Sequence, residues 1–275
     1  MTDRYAVVGN PVAHSKSPLI HAQFARQTGQ DIEYGRLLAP LDGFGATVEA
    51  FRREGGRGLN VTLPFKLEAF ELAQQRSARA LDAEAVNTLR FDSDGIVGDN
   101  TDGVGLVRDL EGNLGIGIAG KRVLLMGAGG AAQGVMGPLL DAGPAALLIG
   151  NRTENKAQTL VARFVARAEG AELRASSYAG LAGRTFDLII NATSASLSDT
   201  VPELPRGVFA PGCAAYDMMY GKGLTPFLQL AQREGAARLA DGLGMLVEQA
   251  AESFFLWRGV RPDTRPVFAL LRPGG

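Results

Sequence analysis

The sequence predicts a mixed α/β protein built from two domains. Short apolar runs alternate with helix-like stretches along the whole chain, which is the pattern of α/β folds. The length of 275 residues is long for a single simple core. A glycine-rich turn also follows a buried strand near the middle of the chain, which is typical of a doubly wound sheet. We therefore expect an N-terminal α/β domain and a second, doubly wound domain.

The first half predicts three strands, three helices and a hairpin. Ser17 and Pro18 favour a helix start, with Ser17 as the N-cap and Pro18 at the first helical position. Asp94-Gly95 favours a tight turn between antiparallel strands. The expected strands are residues 5–9, 32–38 and 58–61; the expected helices are 17–28, 44–53 and one that begins after residues 62–64; the hairpin joins 86–91 to 96–98.

The second half predicts an alternation of buried strands and helices. Its first helix begins at Thr101 or Asp102 and continues to about residue 110. The expected strands are 122–126, 145–149, 186–191, 214–217 and 237–241; the expected helices are 131–140, 153–168, 225–233, 242–257 and 264–271.

Composition and charge exclude several classes of partner. The net charge of −1 gives no global field that would favour nucleic acid or an anionic membrane. No apolar run reaches the ~20 residues that a membrane helix needs. The apolar run at residues 5–9 is too short for the core of a signal peptide, so we expect a cytoplasmic protein.

The cysteine and histidine content argues against a disulfide and a metal site. Cys213 is the only cysteine, which excludes an internal disulfide. His14 and His21 lack a usual metal-ligand spacing and have no cysteine partners. We therefore expect no metal, and we interpret both histidines as structural or solvated.

The glycine-rich turn indicates a dinucleotide site. The expected strand 122–126 continues into Gly127-Ala128-Gly129-Gly130-Ala131-Ala132, in which Gly127, Gly129 and Ala132 match the spacing G-x-G-x-x-G/A. Gly127 permits a tight turn, Gly129 lets the backbone approach a pyrophosphate, and Ala132 lets helix and strand pack closely. The following helix N-terminus adds free donors and partial positive charge. The pattern predicts a Rossmann-like domain; a simple glycine-rich turn is the alternative.

The tip of the next strand favours NADP over NAD. A site that prefers NAD usually carries Asp or Glu there, to accept from the ribose 2′-hydroxyl. This chain instead has Asn151, Arg152 and Thr153, with Lys156 one helical turn beyond Arg152. A 2′-phosphate suits a charge-assisted contact with arginine. The alternative is that Thr153 is only an N-cap and that the two cations are solvated.

A third strand end carries small polar residues. Asn191-Ala192-Thr193-Ser194 follows the expected strand 186–191. Because the carboxyl ends of parallel strands line the ligand crevice, Thr193 and Ser194 are candidates to border the nicotinamide and ribose. An ordinary turn is the alternative.

Lys66 and Asp102 are the candidate catalytic residues. Lys66 lies in the first turn of an expected helix, where the helix dipole disfavours a cation. A lysine in a closed cleft can exchange protons with a substrate. Asp102 lies in the first turn of its own helix, where the dipole favours it. The alternatives are a solvated surface lysine and a simple helix-start acid.

Several motifs together resemble the shikimate dehydrogenase family, in the family's order and over nearly the whole chain. They are Gly9-Asn10-Pro11-Val12-Ala13-His14-Ser15-Lys16-Ser17-Pro18, Asn60-Val61-Thr62-Leu63-Pro64-Phe65-Lys66, Ala85-Val86-Asn87-Thr88, Gly98-Asp99-Asn100-Thr101-Asp102-Gly103, Tyr216-Asp217-Met218, Thr225-Pro226-Phe227 and Asp241-Gly242-Leu243-Gly244-Met245.

The resemblance implies a role for each matching residue. Lys66 and Asp102 would form the catalytic pair, and Ser15 and Ser17 would hold the substrate carboxylate. The implied partners of the ring hydroxyls are Asn60, Thr62, Asn87 and Gln249, with Tyr220 as a further contact. The cofactor would contact Gly127, Ala128, Gly129, Gly130, Ala131, Asn151, Arg152, Thr153, Lys156, Thr193, Ser194, Met218, Gly242 and Met245.

The resemblance also implies the domains and the reaction. Residues 1–101 with 242–275 would form a discontinuous substrate domain, and 102–241 the NADP-binding domain, with the cleft between them. The expected enzyme is an oxidoreductase that reversibly reduces 3-dehydroshikimate to shikimate with NADPH, in aromatic amino acid biosynthesis. A quinate/shikimate dehydrogenase that uses NAD and a non-catalytic NADP-binding sensor are the alternatives. We expect small-molecule partners only, no nucleic acid or membrane, and a monomer or homodimer.

Three positions depart from the family pattern. Ser196 stands where glycine is usual, and Asp199 follows nearby, which affects the expected contacts on the nicotinamide side. Gln133 replaces a frequent arginine just after the glycines, which removes one phosphate contact.

Overall fold

The computed structural model describes residues 2–193 and 203–271. The chain divides into two compact units, and each has its own sheet. The first unit combines Met1–Gly105 with Leu246–Gly275, and the second is Leu106–Met245. None of the helices within the described ranges is long and apolar enough to span a membrane.

The first unit contains a mixed six-stranded sheet in the order β2-β1-β3-β5-β6-β4. The strands β1, β2 and β3 are parallel, whereas β5 pairs antiparallel with β3 and β6. The strands are β1 (Asp3–Gly9), β2 (Ile32–Leu38), β3 (Gly56–Val61), β4 (Gln75–Arg76), β5 (Thr88–Asp92) and β6 (Gly95–Asp99). The helices are α1 (Ser17–Thr28), α2 (Phe44–Arg53), α3 (Lys66–Leu72), α4 (Ala78–Ala83), α5 (Asp102–Arg108), α9 (Leu243–Arg258) and α10 (Arg265–Leu271), of which α5 and α9 cross the unit boundaries.

Two apolar clusters support this sheet. One contains Val8, Leu59 and Phe65 together with residues of α2 and α3. The other joins α1 to the C-terminal helices through Phe24 and Phe254. Burying side chains of this kind stabilises the fold by about 1.5–3 kcal/mol each. The C-terminal helices are therefore part of the core of the first unit.

The second unit contains a parallel six-stranded sheet in the order β12-β11-β10-β7-β8-β9. The chain passes from β7 to β8 and β9 on one side and then returns to β10 on the other, so the crossover direction changes between β7 and β10. The strands are β7 (Arg122–Met126), β8 (Ala146–Gly150), β9 (Glu172–Ser176), β10 (Phe186–Asn191), β11 (Phe209–Asp217) and β12 (Arg238–Asp241); the helices are α6 (Gly130–Asp141), α7 (Glu154–Phe164) and α8 (Pro226–Arg233). This is a doubly wound fold, and ligands bind at such a switch point.

The structure corrects several details of the sequence interpretation. Lys16 is the N-cap of α1, so Ser17 is the first helical residue and not the N-cap. Pro18 is therefore the second helical residue, a position in the first turn that tolerates proline equally well. The helix expected at residues 153–168 ends at Phe164, where a 3₁₀ turn begins. The helix that starts at Asp102 becomes a π-helical turn at Asp109–Asn113.

Candidate active site

Lys66 and Asp102 meet in the first unit. Lys66 Nζ donates to Asp102 Oδ2 at 2.6 Å, and 29% and 18% of the two side-chain surfaces are exposed, so a ligand can reach them. Lys66 is the first residue of α3, and Asp102 the first of α5. A cation at a helix N-terminus is unfavourable by itself, and the carboxylate offsets that cost.

Asn87 fixes the second oxygen of this carboxylate. Its side-chain nitrogen donates to Asp102 Oδ1 at 2.8 Å and to Thr101 Oγ1 at 2.9 Å. Its side-chain oxygen accepts from the Thr101 backbone N–H at 2.9 Å. Asn87 is buried and lies just before β5. Because both ends of the amide are used, the orientation of Asp102 is set by the sheet and not by its own helix alone.

Asn60 is the centre of a second, buried group of hydrogen bonds. Its side-chain nitrogen donates to Ser253 Oγ at 2.9 Å and Thr88 Oγ1 at 3.2 Å, and its oxygen accepts from the Tyr34 hydroxyl at 2.7 Å. Ser253 and Thr88 are themselves 2.7 Å apart. Such a connected network holds its members in one arrangement.

Ser15 and Ser17 lie at the start of α1 with their hydroxyl oxygens 3.2 Å apart. Ser15 Oγ also accepts from the Ser17 backbone N–H at 3.3 Å. Burial raises the pKa of Tyr34 well above its ordinary value. Tyr34, whose hydroxyl donates to Asn60, therefore stays a neutral hydroxyl at physiological pH.

Gln249 and Thr62 complete the residues expected in the first unit. Gln249 Oε1 lies 3.4 Å from both Asn87 Nδ2 and Thr101 Oγ1, while its nitrogen donates to the Leu246 carbonyl at 2.8 Å. The Thr62 methyl packs against Gly9, where a Cβ atom would lie only 2.5 Å away. The Thr62 side chain therefore packs against the end of β1 at a position that leaves no room for a side chain at residue 9.

His21 lies next to Tyr34, which is a member of the buried network around Asn60. Its ring stacks on that of Tyr34 with centroids 4.2 Å apart. It is fully buried, and within the described part of the chain neither ring nitrogen has a hydrogen-bond partner. Burial lowers the pKa of His21 to about 3. The ring is therefore neutral at physiological pH, which agrees with its interpretation as a structural residue.

In the second unit, the turn after β7 is rich in glycine and leaves the start of α6 exposed. Gly127 has φ +104°, and a Cβ atom there would lie 3.2 Å from the Thr193 side chain. Gly129 is the N-cap residue of α6 and Gly130 its first residue; both are exposed, and a Cβ atom on either would meet nothing within 4 Å. The N-cap residue makes no side-chain capping bond, so it leaves the first N–H groups of this helix without that partner.

The tip of β8 carries two exposed cations. Arg152 and Lys156 have no ion pair within the described ranges. Thr153 is the N-cap residue of α7, but its side chain makes no capping bond. Asn151 Nδ2 donates to the Thr153 carbonyl at 2.8 Å and so closes the loop. The cations are thus available to a phosphate.

The ends of β10, β11 and β12 bring four further expected residues together. Thr193 donates to Asn191 Oδ1 at 2.7 Å, and the Met218 N–H donates to the Asn191 carbonyl at 2.9 Å. Gly242 packs against the Met218 backbone so tightly that a Cβ atom would lie 2.1 Å from its carbonyl oxygen. The Met245 N–H donates to the Tyr216 hydroxyl at 3.3 Å.

One expected substrate residue, Tyr220, is not part of these groups. Tyr220 lies in the second unit and is exposed, whereas the other expected substrate residues lie in the first. The part of its ring that is buried raises the pKa of Tyr220, and the charge of Asp241 adds to that rise. Ser194, Ser196 and Asp199 lie outside the described residues. Across residues 2–193 and 203–271, no group of three or more His, Cys, Asp or Glu side chains is arranged to hold a metal.

The sequence indicated no role for Tyr34, Thr88 or Ser253. It also indicated none for Asp109 and Tyr216, which are hydrogen-bonded to each other next to Met245. Asp109 Oδ2 accepts from the buried Tyr216 hydroxyl at 2.8 Å, which in turn receives the Met245 N–H. One signal was available for Ser253, which follows Gln249 by four residues and therefore shares its helix face. The contacts of Tyr34 and Tyr216 join distant parts of the chain, so periodicity alone could not indicate them.

Three family models match the chain. They describe the substrate binding domain of shikimate dehydrogenase over residues 7–89, shikimate/quinate 5-dehydrogenase over 111–199, and the C-terminal domain of shikimate 5′-dehydrogenase over 242–271. Together the matches extend over well more than half of the sequence.

Individual relatives agree with these models. A shikimate dehydrogenase (NADP(+)) of Nitrosospira multiformis is 64% identical over 99% of this chain and 98% of its own. The crystal structure of an Ael1 enzyme from Pseudomonas putida is 54% identical, with a TM-score of 0.92 and 98% of both chains covered. A shikimate 5-dehydrogenase of Thermus thermophilus, crystallised with NADP(H) and shikimate, is 33% identical, with a TM-score of 0.83 and 96% of both chains covered. The chain therefore belongs to the shikimate dehydrogenase family.

Proposed function

We propose that this protein is an oxidoreductase that reversibly reduces 3-dehydroshikimate to shikimate with NADPH. One observation carries the proposal: Lys66 Nζ lies 2.6 Å from Asp102 Oδ2, at an accessible position, and Asn87 holds the other carboxylate oxygen. A cation and a carboxylate fixed in this way can donate a proton to a ring oxygen and take it back from a ring hydroxyl. Membership of a family that contains NADP-dependent shikimate dehydrogenases supports the same assignment.

In the proposed mechanism, hydride transfer depends on the cofactor and proton transfer on the side chains. When bound, the nicotinamide supplies or takes up the hydride. During reduction, the substrate carbonyl oxygen gains negative charge, and the Lys66 ammonium stabilises it and donates a proton. Asp102 accepts a hydrogen bond from Lys66 and so directs that ammonium toward the oxygen. In the oxidation direction, Lys66 takes the proton back from the ring hydroxyl.

The polar groups of the first unit would bind the rest of the ring. We assign the substrate carboxylate to Ser15 and Ser17, because hydroxyls reach an anion without adding a buried charge. We assign the ring hydroxyls to Asn60, Thr62, Asn87 and Gln249, with Tyr220 as a further contact. Residues 1–101 with 242–275 would therefore form the substrate domain, and 102–241 the NADP-binding domain.

The residues of the second unit fit NADP. The exposed glycines at the N-terminus of α6 leave room for a pyrophosphate next to free N–H donors. Arg152 and Lys156 offer positive charge at the tip of β8, where an NAD site would carry an acid. Ala128, Ala131, Asn151, Thr153, Thr193, Ser194, Met218, Gly242 and Met245 are the further proposed contacts.

We also propose that the protein works in the cytoplasm as a monomer or homodimer. Its single cysteine, Cys213, is buried, and burial raises the pKa of its thiol to about 12. A protein that uses no disulfide suits a reducing compartment. Sedimentation of the purified protein over a range of concentrations separates the two oligomeric states, and a larger assembly would contradict this part of the proposal.

The decisive experiment is a direct assay. The purified protein is mixed with shikimate and either NADP or NAD, and the absorbance of reduced nicotinamide is followed. We expect turnover with shikimate and a clear preference for NADP. A preference for NAD would instead indicate a quinate/shikimate dehydrogenase that uses NAD. Binding of NADP without turnover of shikimate or quinate would indicate a non-catalytic sensor.

A further inference from the structure

Arg36 lies beside the serine pair on strand β2. Side chains two residues apart on a strand point to the same face, so Arg36 shares a face with Tyr34. Its guanidinium is hydrogen-bonded to the backbone of the loop before α1. Nη2 donates to the Ser15 carbonyl at 2.6 Å and Nε donates to the same carbonyl at 3.2 Å. The side chain that follows Tyr34 on this face therefore reaches the loop that carries Ser15 and Ser17.

The charge of Arg36 is not compensated by the protein. Among the described residues, no carboxylate lies within ion-pair distance of its guanidinium. Arg79, Arg90 and Arg258 of the same unit each form an ion pair with an aspartate, whereas Arg52 and Arg76 resemble Arg36 in donating to backbone carbonyls. Arg36 thus contacts a neutral carbonyl. An exposed cation held in place by a neutral group keeps its full charge for a ligand.

The guanidinium also keeps unused donors. Arginine has five N–H groups, of which the Ser15 carbonyl engages two. The remaining three belong to a planar group suited to a carboxylate. Fixing part of the group to the loop lowers the entropic cost of a further contact.

We propose that Arg36 determines specificity for the substrate carboxylate, so that this site selects cyclic hydroxy acids over the corresponding neutral rings. The inference rests on the proposed function, because that function assigns the carboxylate to Ser15 and Ser17. Arg36 supplies the positive charge that those two hydroxyls lack. It acts on binding and takes no part in the proton transfer at Lys66.

Arg36→Met tests this role because it keeps much of the apolar stem and removes the charge. At saturating NADP, we expect KM for shikimate to rise about tenfold, as for the loss of one exposed charged contact. KM for the neutral methyl ester of shikimate should change much less, and so should KM for NADP. Rising KCl should raise KM for shikimate in the unaltered protein and have little effect in Arg36→Met. Arg26→Met is the matched control, because Arg26 is an exposed cation in the last turn of α1 that contacts Gln23.

Other outcomes overturn the proposal. Equal rises of KM for the acid and its ester would show that Arg36 only holds the loop in place. An unchanged KM for shikimate would exclude both roles. If Arg36→Met does not fold, Arg36→Lys and the KCl dependence of the unaltered protein remain; salt-independent binding of shikimate would then contradict the inference.

The experiment separates this inference from the proposed function. If the unaltered protein shows no turnover of shikimate, the proposed function fails. Calorimetric binding of shikimate then tests Arg36 alone: binding that weakens in Arg36→Met but not in Arg26→Met supports the inference. Absence of shikimate binding to the unaltered protein overturns both.

Discussion

The two units form their candidate sites in opposite ways. In the first unit, side chains hold one another: Lys66, Asp102 and Asn87 form a chain of short hydrogen bonds. In the second unit, the backbone dominates, and Gly127 and Gly129 matter because they have no side chain. One site is therefore defined by the groups that are present, and the other by the space that is left open.

This difference predicts how each unit responds to substitution. Removing a functional group should damage the first site while leaving the fold intact, because the apolar clusters lie elsewhere. Adding a methyl group should damage the second site. Four predictions test this contrast.

The largest effect is expected for Lys66→Ala. Loss of the proton donor should lower kcat about 10²- to 10⁴-fold, which is the usual contribution of a positioned acid–base group. Thermal unfolding should change little, because the side chain is partly exposed. Steady-state kinetics and calorimetric melting measure both quantities. Lys121→Ala removes an exposed lysine of the second unit and serves as the control. Near-normal turnover of Lys66→Ala would remove Lys66 from the mechanism.

A smaller effect is expected for Arg152→Ala. KM for NADP should rise about ten- to a hundredfold, because a charge-assisted contact with the 2′-phosphate contributes roughly 1.5–3 kcal/mol. KM for NAD should hardly change. Arg184→Ala is the control, since Arg184 is an exposed arginine just before the amino end of β10, away from the strand tips. Equal effects on the two cofactors would reject a phosphate role for Arg152.

Two glycine variants test the backbone-defined site. Gly127→Ala should destabilise the protein by about 1–3 kcal/mol, because a side chain is strained at φ +104°. Gly129→Ala should fold normally, since its φ of −96° suits alanine and its Cβ atom would meet no protein atom. It should still weaken NADP binding about tenfold, by keeping the pyrophosphate away from the backbone. Urea unfolding and NADP titration of both variants measure these effects. Unaltered NADP affinity in Gly129→Ala would contradict the proposed position of the pyrophosphate.

The smallest effect at neutral pH concerns His21, whose contribution develops only as the pH falls. Its folded pKa is about 3, whereas an unfolded histidine titrates near about 6.5. Between these values the unfolded chain binds the extra proton, so the free energy of unfolding falls as the pH falls, by about 2 kcal/mol at about pH 5. His21→Phe retains an aromatic ring beside Tyr34 and should lose this contribution. Urea unfolding at neutral and acidic pH measures it, with His14→Phe as an exposed control. Parallel pH dependence of His21→Phe and the unaltered protein would show that His21 does not titrate in this way.

Much of the fold could be predicted, because buried strands carry a strong signal. The bounds of β2, β7 and β10 match the predictions, and the family and the α/β fold class are confirmed. The elements that were missed lack that signal: β4 has only two residues, α4 has only six, and β9 is a polar edge strand. The start of β11 was missed because Pro211 and Gly212 interrupt its apolar run.

The candidate site was predictable only in part, for a related reason. Resemblance to a family identified Lys66 and Asp102, and the structure brings their side chains together, while their catalytic role stays a prediction. The partners of Asn60 come from Tyr34 and Ser253, which are 26 and 193 residues away in sequence. Contacts over such separations depend on the completed fold, and no local pattern encodes them.

The packing of α9 on β3 has a consequence for synthesis on the ribosome. A Cβ atom at Gly58 would lie 2.6 Å from the indole nitrogen of Trp257, so this strand is shaped for a helix that is translated much later. At roughly 5–20 residues per second, the intervening Leu106–Met245 unit takes about 7–28 s to emerge. During that interval the nascent N-terminal sheet lacks the part of its cluster that α9 and α10 supply, whereas the contiguous unit can complete its fold first. The N-terminal segment is translated first but is thus expected to complete its fold last. We therefore expect it to be the part of the protein that a chaperone binds.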